Sequence, residues 1–183
     1  MNAAEPVIQA FLDDLLADNP VLATGLGLTA GADRLPSWSA EAVARRVGML
    51  RRHERTLLPL LDDHEVATAV DAFAGLQIAR RQLRDLELCR VQQRRPAAYL
   101  DVLFGLLPLL MRELGSPAER VEALAGRLSA TPGLLEEARD NLEPGLPAAL
   151  VRAGLDQVDG LLELAGPTAV SYTHLTLPTI YSV

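Results

Sequence analysis

Apolar residues recur every third or fourth position through nearly the whole chain, and nowhere do they alternate for long enough to make a strand. Between Pro6 and Leu16 they fall at Val7, Ile8, Phe11, Leu12, Leu15 and Leu16, with Asp13 and Asp14 on the other side. That is the stripe of an amphipathic helix. The pattern predicts an all-α fold, an array or bundle of about six to seven helices. Aromatic residues are only 4% of the chain, so the core must be assembled from Leu, Val and Ala. The helical stretches differ in length and their loops share no spacing, which argues against a repeat solenoid.

Breakers divide the stripes. Asn19-Pro20 ends the first helix, because the residue before proline is pushed out of the α region. A loop with Gly25, Gly27, Gly31 and Pro36 follows, and Ser39 is placed to cap the next helix, which carries Val43, Val47, Leu50, Leu57 and Leu61. After Asp62-Asp63 a long helical segment runs to about Arg94, where Pro96 stops it. A helix over Ala97–Leu114 is expected to kink at Pro108. Ser116-Pro117-Ala118-Glu119 is a capping box with proline in the first turn, and Thr131-Pro132 is read as opening a separate short helix through Leu142. Val151, Leu155, Val158, Leu162 and Ala165 mark the last stripe.

With 183 residues the chain suffices for one domain, or a domain with an appendage. The composition, 49% apolar and 22% charged, is that of a packed protein rather than a disordered one. All 17 basic residues are arginine, against 24 acids, and the net charge of −7 argues against a nucleic-acid partner. The N-terminus lacks a basic start followed by an uninterrupted apolar run. The most apolar stretch, Val102 to Met111, is about half the ~20 residues that cross a bilayer. No membrane partner is expected, and the expected compartment is the cytoplasm.

Residues that could carry chemistry are few. Helical zinc hydrolases use His-Glu-x-x-His, two ligands one turn apart with a glutamate that activates water. His64-Glu65 is followed by Thr68 where the second ligand belongs, and His53-Glu54 by Leu57. Both histidines read as solvated polar residues near a helix end. Cys89 is the sole cysteine, which excludes an internal disulfide, and it reads as a small buried thiol. The pairs Arg45-Arg46, Arg51-Arg52, Arg80-Arg81 and Arg94-Arg95 could clamp a carboxylate or phosphate, but read first as polar helix faces. Gly25-x-Gly27 lacks the third glycine and the preceding strand of a dinucleotide loop. No catalytic, cofactor-binding or metal-ligating residue is assigned.

The C-terminal stretch departs from the rest. No charged residue follows Glu163, and Val170-Ser-Tyr-Thr-His-Leu-Thr-Leu-Pro-Thr179 abruptly favours Thr, Tyr and Ser. The string resembles the conceptual translation of a transposase adapter used in sequencing libraries, matching ten consecutive codons. Residues 170–183, including the third histidine, His174, are therefore read as adapter-derived and not structured with the rest. Residues 1–169 are read as a helical N-terminal region of a longer protein.

Several turns resemble one bacterial family. Asp18-Asn19-Pro20-Val21-Leu22-Ala23-Thr24-Gly25-Leu26-Gly27, then Asp33-Arg34-Leu35-Pro36-Ser37-Trp38-Ser39, look like the opening signature of domain-of-unknown-function family 885. Pro96-Ala97-Ala98-Tyr99-Leu100 and the stretch from Arg127-Leu128 to Asn141-Leu142 resemble it in order and spacing, so that the likeness spans Val7 to Leu164. The resemblance implies a longer helical parent similar to zinc peptidases of the angiotensin-converting-enzyme and carboxypeptidase type. Its His-Glu-x-x-His helix, and with it the zinc, would lie in a C-terminal half. This chain would then be lid and channel wall, inactive alone, partnered by that missing helical part and, in the parent, by short peptides. The other reading is a stand-alone helical interaction module without catalytic activity.

Overall fold

A computed structural model describes residues 4–165, and all regular structure among them is helical. The expectation for residues 170–183 lies outside the described residues. Helix α1 (Glu5–Asp18) is followed at once by α2 (Pro20–Gly25), then α3 (Ala40–Leu57) and, after a 3-10 turn over Leu58–Asp62, α4 (Val66–Leu83). A π turn over Arg84–Leu88 leads to α5 (Val91–Arg94), α6 (Ala97–Leu103), α7 (Leu106–Met111), α8 (Pro117–Asn141) and α9 (Ala148–Ala165).

The apolar stripes meet in two main clusters. Phe11 and Leu15 of α1 pack with Met49, Leu50 and Leu57 of α3 and with Ala79 and Leu83 of α4. The α3–α4 hairpin closes tightly because Gly75 has no side chain: a Cβ there would lie 3.2 Å from both Leu57 and Phe11. Tyr99, Leu100 and Leu103 of α6 pack with Leu134 and Ala138 of α8, and Val158 and Leu161 of α9 lean on them. Trp38 touches both clusters and joins them.

Four boundaries differ from the sequence expectation, each for a local reason. Asn19 and Pro20 end α1 but also start α2, since the Asn19 side chain accepts from Leu22 N–H at 3.0 Å and proline suits the first helical position. The long segment expected to reach Arg94 stops at Leu83, passes through the π turn, and reverses at Arg90, whose φ of 52° is left-handed. The Ala97–Leu114 helix breaks at Gly105 rather than Pro108, because Val21 of α2 occupies the space of a Cβ at that glycine. Pro108 sits in the first turn of α7, where no N–H is required. Pro132 does not open a helix but lies inside the 25-residue α8. It faces solvent, and the Thr131 hydroxyl donates to the Arg127 carbonyl one turn back at 2.9 Å. The capping box at Ser116 and Glu119 forms as the sequence predicts. Among the described residues no helix is long and apolar enough to cross a membrane.

Candidate functional site

The two near-miss histidines sit in different surroundings. His64 is exposed in the turn before α4, so His64-Glu65 does not lie on a helix at all. His53 is buried inside α3 rather than solvated at a helix end, because α1 covers it. Its Nε2 donates to the Asp14 carboxylate at 2.7 Å, and its ring meets Phe11 edge-on at 5.4 Å. Leu57, in the second-ligand position, is a fully buried core residue. Among the described residues no three His, Cys, Asp or Glu side chains could together hold a metal ion, so these residues do not fit the zinc that the resemblance implies for the parent. Cys89 is exposed at the end of the π turn, not buried, since that turn swings it out of the core stripe. Gly27 takes a left-handed φ of 95° in the turn after α2, with open space where a Cβ would stand.

The arginine pairs behave in a way the sequence only partly anticipated. In three of them one member pairs with a glutamate: Arg45 with Glu41 at 2.7 Å, Arg80 with Glu54 at 2.8 Å and Arg94 with Glu143 at 3.3 Å. The other members, Arg46, Arg81 and Arg95, all line one cleft of about 470 Å³, and each has an aspartate of the same cleft beside it. Arg46 pairs with Asp18, Arg95 with Asp101 at 2.8 Å, and Arg81 lies 3.8 Å from Asp85. The cleft opens between the α1–α2 corner, α3, the π turn and α6. Its volume falls in the range of small-molecule sites. The fourth pair, Arg51-Arg52, stays on the surface with Glu87 and Asp14.

Trp38 forms one wall of this cleft, and its place is fixed from several sides. The Arg46 guanidinium stacks 5.2 Å from its ring centre, and the Tyr99 ring packs at 5.5 Å behind it. Its backbone N–H donates to Glu137 at 2.6 Å, and its carbonyl accepts from the Asn141 amide at 2.6 Å. The Ser37 hydroxyl donates to the other Glu137 oxygen at 2.6 Å. The Leu-Pro-Ser-Trp-Ser turn is thus clamped onto α8 while Arg46 donates to the Ser37 carbonyl at 3.1 Å. Asn141 also donates to the Tyr99 hydroxyl at 3.0 Å, and burial raises the Tyr99 phenol above its ordinary value.

Sequence reasoning missed a second anchor. Arg127 of α8 is fully buried with no carboxylate bonded to it. It donates to the Gly105 carbonyl at 2.5 Å, the Thr24 hydroxyl at 2.6 Å and the Pro20 carbonyl at 3.3 Å, while its Nε has no hydrogen-bond partner. Burial pushes the guanidinium below the usual arginine value, and the Asp33 charge opposes that shift. The available signal was compositional: Arg127 is the sole charge between Ala123 and Leu135.

These anchors fall on the turns through which the sequence resembles a family: Thr24 in the first, Trp38 in the second, Arg127 and Asn141 in the α8 stretch. Comparison with curated proteins and with solved structures gave no match. The family comparison gave one, described as a bacterial protein of unknown function, over residues 20–178, a range that holds all four anchors and starts after α1. The chain belongs to that bacterial family, DUF885.

Proposed function

We propose that this chain is a helical wall of a longer bacterial protein resembling zinc-dependent peptidases, and that it carries none of the reacting groups itself. The observation that supports this is the outer face of α8. Every exposed residue between Glu122 and Glu136 is uncharged. Val121, Leu128 and Leu135, two turns apart, are 66%, 57% and 45% exposed. Leu155 and Leu162 of α9 are left open in the same way. Surfaces of this kind are normally covered, because burying them is worth roughly 25 cal/mol per Å². Further helices of the same protein are the natural cover, and the catalytic His-Glu-x-x-His with its zinc would stand among them. Family membership assigns no activity, and the peptidase chemistry of this reading rests on the sequence resemblance alone.

The test is the association state of the chain against concentration, by light scattering after gel filtration. The wall reading expects association that deepens with concentration. It also expects Leu128→Glu with Leu135→Glu to restore a monomer without lowering the melting temperature. A monodisperse, cooperatively melting monomer in the unmodified chain would favour the stand-alone module instead.

A further inference from the structure

We draw no further inference here: the strongest candidate, the apolar stripe of Val66, Val70 and Phe73 left exposed along α4, carries none, because nothing in the structure shows what covers it.

Discussion

Arg127 reaches from the middle of α8 to the hydroxyl of Thr24 in α2, 2.6 Å away and 103 residues earlier in the chain, and neither residue is exposed at all. The same guanidinium takes the Gly105 carbonyl at the break between α6 and α7. One side chain therefore ties three separate helical segments together. Thr24 in turn donates to the Pro20 carbonyl at 2.8 Å, so the short helix α2 is locked internally as well as to α8.

Removing an acceptor from a buried cation is costly, because the donor is left without either water or a partner. Thr24→Val keeps shape but deletes the hydroxyl, and is expected to destabilise the fold by about 1–3 kcal/mol in urea titration. Arg127→Lys should cost more, since a single ammonium cannot reproduce the spread of the guanidinium across Gly105, Pro20 and Thr24. Equal stability of wild type and Thr24→Val would remove the clamp from the account.

Two glycines on α8 should respond oppositely to the same change. A Cβ on Gly126 would stand 2.7 Å from the Asp33 carbonyl oxygen and 2.8 Å from the Asp33 Cβ, so the loop must move. Gly126→Ala is expected to destabilise by about 1–3 kcal/mol. Nothing lies within 4 Å of a Cβ on Gly133. Gly133→Ala is expected to stabilise by about 0.5–1 kcal/mol through its helix preference. Thermal melts of the two variants check both signs.

Asp14 links α1 to α3 through His53, whose hydrogen bond is the main cause holding the Asp14 carboxyl below its ordinary 3.8. Partial burial opposes that shift, and the bond from Arg52 adds to it. A carboxyl depressed in the fold holds fewer protons there than in the unfolded chain. Its contribution is therefore present above the unfolded value and is lost as pH falls through the folded one. Asp14→Asn should show its full deficit against wild type at neutral pH, and the two should converge as pH falls below 3.8. A gap that stays constant into strong acid would mean that the Asp14 charge contributes nothing.

The helices were legible in the sequence because apolar spacing encodes which face is buried. Six helices of seven residues or more, α1, α3, α4, α6, α8 and α9, stand among the described residues. Pro132 misled because a proline inside a helix and a proline opening one look alike locally; the solvent-facing position of Pro132 is a tertiary fact. The arginine pairs announced a clamp without saying which member would be used. Neighbouring helical residues point about 100° apart, so the two members of an adjacent pair reach different partners. That difference takes Arg80 across to Glu54 of α3 and leaves Arg81 at the exposed edge of the cleft beside Asp85. What Arg127 touches depends on α2 and the α6–α7 break, which no local pattern reports.

The central claim, that these helices are the wall of a longer peptidase-like protein, is tested most directly by sequencing the source locus across the codon for Ala169. The account predicts a frame that continues into further helical sequence and contains His-Glu-x-x-His. A stop within a few codons would contradict it, and the helices would then have to be understood as a small module with an apolar face of its own.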